Sequence, residues 1–187
     1  MASITNANRA RAGDAVTARA NSGRLRIYSG AIPADANTAL SGQITNATLT
    51  FGATAFGASN NGVSTANAIT SDTNAAAAGR PAFARVLETD AITVVWQMFA
   101  AVPWAASTAY AVNDNVVNGG NQYRCTTAGT SAASGGPSTT GGSITDGTAV
   151  WAYVGAAELV LTPSGGTQIA AGSTVSVSSL TYTQSAS

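Results

Sequence analysis

Side chains able to do chemistry are few in this chain. Its 187 residues contain no His and no Lys, since all eight basic residues are Arg. That composition excludes a Ser-His-Asp triad, a Cys-His pair, an imidazole base and a His metal ligand. It also excludes a P-loop lysine and a Schiff base. Cys125 stands alone, so it forms neither an intrachain disulfide nor a thiolate metal site. On a strand, such a Cys reads as a small buried hydrophobe. A glycosidase needs two carboxyl groups at a fixed separation, but Asp72, Glu88, Asp90, Asp114, Asp146 and Glu158 are scattered. Asp90, Asp114 and Asp146 stand in turn contexts, where Asp serves backbone geometry. The runs Ser134-Gly135-Gly136, Thr140-Gly141-Gly142 and Ser164-Gly165-Gly166 have no helix behind them, so they read as turns rather than phosphate cradles. The sequence predicts a protein that is not an enzyme and that needs no cofactor or metal.

Two sets of residues remain as candidates. Five of the eight Arg fall in the first 26 positions: Arg9, Arg11, Arg19, Arg24 and Arg26. A solvated helix face beside an acidic neighbour is the plain reading of such a cluster. The functional reading makes Arg9, Arg11 and Arg19 anchors to a partner surface. Aromatic residues form the second set. Trp151 and Tyr153 share a strand parity, and with Tyr110 they are candidates for a sugar-stacking platform. The alternative is that a very small β module needs every large side chain for its own core. Trp104 and Tyr123 are read as core.

The composition sets the frame. Charged residues are 9%, against a usual share of about 25%. Formal net charge is zero, which speaks against nucleic acid as a partner. Hydrophobic residues are 45%, but much of that is Ala, so the predicted core is thin. Thin cores are often stabilised by assembly with other subunits. The longest apolar stretch, Ile92 to Ala106, is broken by Gln97 and Pro103. It falls short of the ~20 residues a membrane span needs. The first residues lack the apolar segment of a signal peptide, so the expectation is a soluble protein made in a cytoplasm.

Residues 4–20 predict a short Ala-rich helix with Gly23 beyond its end. Strands are predicted at Arg24–Tyr28, Gln43–Phe51, Ala82–Glu88 and Ala91–Phe99, the last two joined by a turn near Thr89-Asp90. Short edge strands are expected at Val63 and Ile69 within the Gly/Asn/Ala-rich stretch 52–80. Glu158–Thr162 and Thr174–Thr183 complete the set. Alternation slips at Ser178-Ser179, as a β-bulge would require. The run Thr126–Gly142 reads as a flexible loop. Many short strands with frequent turns indicate an antiparallel β-sandwich, with a small module inserted at residues 103–155.

The outer part resembles a family of small virion structural proteins of tailed bacteriophages. Asn8-Arg9-Ala10 opens the helix. Gly23-Arg24-Leu25-Arg26-Ile27-Tyr28-Ser29-Gly30-Ala31-Ile32-Pro33 gives the strand and turn. Ala39-Leu40-Ser41-Gly42, Gly62 to Thr70 and Ala78 to Val86 follow in order, and Ile169 to Thr183 closes. The likeness spans about 130 of 187 residues, read across the insertion. It implies a jelly-roll-like sandwich in residues 1–102 and 156–187, with the N-terminal helix as an arm. It also implies head decoration or cementing as the role.

Residues 103–155 are similar to the small chitin-binding type 3 modules of carbohydrate-binding proteins. The likeness lies in Trp104, Tyr110, Gly120-Asn121-Gln122-Tyr123 and Trp151-Ala152-Tyr153. Val112-Asn113-Asp114 stands where those modules carry Gly-Asp, so the Gly is missing.

Together these readings predict a homo-oligomer, dimeric or trimeric, on the outside of a virion head. Its partners would be the major capsid protein or other virion proteins, and surface glycans would meet the outward module. The alternative is a carbohydrate-binding tail or fibre protein.

Overall fold

The computed structural model describes residues 4–185. The chain is 43% strand and 8% helix, an all-β fold of several mainly antiparallel sheets with one short N-terminal helix. Helix α1 (Asn6–Thr17) runs into a 3-10 turn at Ala18–Ala20. Thr5 caps it, its hydroxyl accepting the N–H of Asn8 at 3.3 Å. Gly23 lies just past the turn for a steric reason: a Cβ there would sit 2.1 Å from the carbonyl oxygen of Leu87.

Six strands follow: β1 (Arg24–Ser29), β2 (Ile44–Phe51), β3 (Val63–Thr65), β4 (Ile69–Thr70), β5 (Phe83–Leu87) and β6 (Val94–Phe99). The module then supplies β7 (Val102–Pro103), β8 (Ala109–Tyr110), β9 (Asn115–Asn118), β10 (Asn121–Thr127), β11 (Gly129–Thr130), β12 (Ile144–Asp146) and β13 (Ala149–Ala156). β14 (Leu159–Pro163) and β15 (Val175–Thr183) return to the outer part.

One sheet has the order β4-β2-β1-β5-β6 and a second the order β14-β15-β3. A core of Leu25, Ile27, Leu49, Phe51, Val86, Leu159, Leu161, Val175 and Leu180 joins the two sheets, filled out by six buried alanines. Aromatic rings supply its bulk: Phe56 packs edge-on to Trp96 at 5.7 Å, and Trp96 meets Tyr182 at 4.8 Å. The bulge expected in the last strand is present. Val160 pairs with Ser179 and Leu161 with Val177, leaving Ser178 as the extra residue. The expected turn between β5 and β6 is held by Asp90, whose carboxylate accepts the N–H groups of Ile92 and Thr93, both at 2.9 Å.

Strand β5 departs from simple alternation, because all five of its residues are buried. The loop after β1 covers its outer face. Arg85 donates to the carbonyls of Thr38 at 2.6 Å and Asp35 at 3.4 Å, and Gln97 donates to Pro33 at 3.0 Å. Tyr28 stacks on Phe83 beneath, at 4.9 Å. The returning loop is what makes this strand fully buried.

The module forms the sheet β12-β13-β10-β9-β7 and the two-stranded ribbon β11-β8. Its core is a separate cluster of Tyr110, Val116, Tyr123, Cys125, Ala149 and Trp151. No residue between Pro103 and Glu158 belongs to the outer core. Ala101 and Val160 bridge directly, so the chain leaves and re-enters the outer part at adjacent points.

Candidate functional site at the seam between two cores

The aromatic residues of the module face inward. Trp151 is fully buried and Tyr110 nearly so, and their rings meet edge-on at 4.9 Å. Tyr153 is half-buried and packs edge-on to the buried Tyr123 at 6.0 Å. Trp151 and Tyr153 do share one side of β13, but that side is the core. Neither Trp151 nor Tyr110 offers an open ring face for a sugar, so a platform built on Trp151, Tyr153 and Tyr110 is not formed. The physical reason is size: a module of about 50 residues must bury its largest rings to have a core.

Asp146 organises that core. One carboxylate oxygen accepts the indole N–H of Trp104 at 2.8 Å and of Trp151 at 3.1 Å, and the other accepts the backbone N–H of Ala132 at 2.9 Å. A buried indole needs an acceptor, and here one acid serves both Trp at the ends of the module. The same contact fixes the run Thr126–Gly142, expected as a flexible loop. Asn118 donates to the carbonyls of Gly135 at 2.8 Å and Pro137 at 3.1 Å, and Ser131 donates to Ala105 at 2.8 Å. Gly136 lies so close to Trp104 that a Cβ would come within 2.9 Å of the ring. Small residues let this run lie flat on the indole.

The Arg candidates bind their own chain. Arg9 donates to the carbonyl of Gln184 at 3.4 Å and to Asn6 Oδ1 at 3.4 Å. Arg19 donates to Glu88 Oε1 from Nε at 2.7 Å. Arg11 is exposed and donates to Asn8 Oδ1 at 3.5 Å. The helix is therefore docked rather than a free arm. Asp14 accepts the N–H of Ser59 at 2.7 Å, and Gly13 and Thr17 are buried against the sandwich.

Carboxylates follow the same rule. Asp14, Asp35, Asp72, Glu88, Asp90, Asp114 and Asp146 each accept hydrogen bonds from this chain. Asp35 and Glu158 line one cleft, where Asn37 and Thr38 donate to the Asp35 carboxylate. Among the described residues no three His, Cys, Asp or Glu gather as a metal site. Burial pushes the Cys125 thiol up, with the Asp114 charge adding to the shift, so the thiol stays protonated. Glu158 is the exception among the acids. No hydrogen bond or ion pair is made by its carboxyl among the described residues, and burial pushes its pKa up.

Where the two cores meet, charges from both sides come together. Arg80, before β5, forms an ion pair with Asp114 in the turn before β9. It also donates to the carbonyl of Ala109 at 3.2 Å. Asn115 donates to the carbonyl of Ala82 at 3.2 Å. Arg124 places its guanidinium carbon 4.6 Å from the centroid of the Phe99 ring. Burial pushes the Asp114 carboxyl up, against the pull of the Ala111 N–H and of Arg80. Beside these contacts lies a cleft of about 710 Å³, lined by Ser29–Ile32, Arg80–Ala82, Val112–Asp114 and Arg124. The Arg80–Asp114 pair, 34 residues apart, carries no sequence signal of its own. Turn propensity accounts for Asp114 but not for its partner.

No family model, no curated protein and no solved structure matches this chain. No helix among the described residues is long and apolar enough to cross a membrane.

Two predictions follow from the carboxylates. Asp146→Ala leaves two indole N–H groups and one amide N–H without an acceptor. At roughly 1–3 kcal/mol for each unsatisfied group, it should cost several kcal/mol and unfold the module first. Urea denaturation followed by Trp fluorescence checks this, and Asp146→Asn, which keeps an acceptor oxygen, should fall between. For Glu158, a raised pKa favours the fold while the carboxyl is protonated; that share is lost as pH rises through the raised value. Glu158→Gln should therefore raise Tm at pH 7, but only slightly, because the residue is exposed and solvent screens its charge. The gain should vanish as pH falls below the ordinary Glu value of ~4.3. Melting curves across that range give the answer.

Proposed function

We propose that this protein is a structural component of a tailed-phage virion, bound over the outer surface of the head, where it reinforces the shell. The observation that carries the reading is that charge is scarce and is largely satisfied within the chain, although only Arg85, Asp114 and Asp146 are buried. Seven of the eight carboxylates accept hydrogen bonds from this chain. Arg9, Arg19, Arg80 and Arg85 likewise donate to it. What remains outside is rich in Ala, Ser, Thr, Asn and Gly. Such a surface suits broad packing on other proteins, because interface cores are depleted in charge. The ordered resemblance of the outer segments to phage structural proteins supports the same reading. Arg11, exposed on α1, is placed to meet a partner.

The mechanism is mechanical. A subunit that binds the assembled lattice and not the free capsid chain stabilises the lattice by mass action. The sandwich does the binding, and the module, with its own core, stands away from the contact. The tail or fibre alternative rested on an aromatic sugar platform, and the burial of Trp151 and Tyr110 removes that support.

Removing residues 104–154 and closing the gap with a short Gly/Ser linker tests the division of labour. The Ala101–Val160 bridge makes the closure short. The variant should fold and should sediment with purified heads as the full chain does. A folded variant that no longer sediments with heads contradicts the assignment.

A further inference from the structure

The seam cleft holds one positive charge that no hydrogen bond or ion pair answers among the described residues. Strand β10 alternates across its two faces: Tyr123 and Cys125 enter the module core, and Arg124 faces the other way, into the seam. Arg124 is half-buried, its Nε is cut off from water, and no hydrogen bond or ion pair reaches that atom. Contact with the Phe99 ring holds the guanidinium in place. Arg80 is answered by Asp114. The cleft that all three line therefore carries one net positive charge.

We propose that this cleft is a binding site for a small ligand carrying one carboxylate, with Arg124 as its charge partner. The reading goes beyond the virion role and does not depend on it. Four features select the ligand. A planar guanidinium matches a carboxylate in geometry. A single uncompensated charge suits a monoanion, and the Asp114 carboxylate on the same wall disfavours a dianion such as phosphate. The volume, about 710 Å³, lies within the range of small-molecule sites. Ser29 and Asn113 add a hydroxyl and an amide to the wall, which suit sugar hydroxyls. An acidic monosaccharide is the ligand that uses all of these.

Isothermal titration of the full chain with D-glucuronate, D-glucose, acetate and inorganic phosphate tests the proposal. Glucuronate should bind and glucose should not. Arg124→Gln should weaken glucuronate by about tenfold or more, the loss of one charge-assisted contact. Val112→Trp is a second variant on the rim: Val112 is 51% exposed and belongs to neither core, so the fold should tolerate the ring while it fills the cleft. It should abolish binding with an unchanged melting curve. Acetate binding as tightly as glucuronate keeps the carboxylate and overturns the sugar. The site is overturned if glucuronate does not bind, if it binds both variants as it binds the parent chain, or if phosphate binds more tightly.

Discussion

Scarcity of charge governs this molecule. With eight carboxylates and eight guanidinium groups in the whole chain, each charge placed inside is one the surface does not have. Burial of a charge is tolerated only where hydrogen bonds replace water. Asp146 is the clearest instance. Its three contacts hold both Trp that bound the module and the small-residue run between them. Asp72 does similar work in the sandwich, accepting the N–H of Thr48 at 2.7 Å and of Asn74 at 2.9 Å. Because bulky side chains are few, these polar contacts supply order that a larger apolar core would otherwise provide.

A second consequence is the division into two cores. The outer core takes Leu, Phe and Ala from strands far apart in sequence, and the module gathers its own rings around Trp151. Between them the seam is polar, built on Arg80–Asp114, Asn115 and Arg124. A polar seam holds two rigid parts in register without making them one core. That arrangement suits a protein whose outer part packs broadly on other proteins while an appended module faces elsewhere.

Much of the local structure was legible in the residues. Alternation in Arg24–Tyr28 and Thr174–Thr183 showed the strands, and its slip at Ser178 showed the bulge. Asp90 marked the hairpin, and Trp104 and Trp151 marked the ends of the module. What stayed hidden depends on contacts across the chain. Parity put Trp151 and Tyr153 on one face but could not tell which face was the core. Arg85 reads as a solvated strand residue until the loop carrying Asp35 and Thr38 closes over it. A Gly/Ser/Thr run reads as mobile until a flat indole is known to lie beneath Gly136. Arg9 and Arg19 looked like a free basic arm because neither Gln184 nor Glu88 is near them in sequence. Glu158 gave no signal at all, since nothing pairs with it locally.

We propose that this chain acts by packing, in many copies, on a virion head. Quantitative mass spectrometry of purified particles, separated into heads and tails, measures it most directly. The protein should fractionate with heads at a copy number comparable to that of the capsomers. Its absence from particles, or a few copies confined to tails, would contradict it.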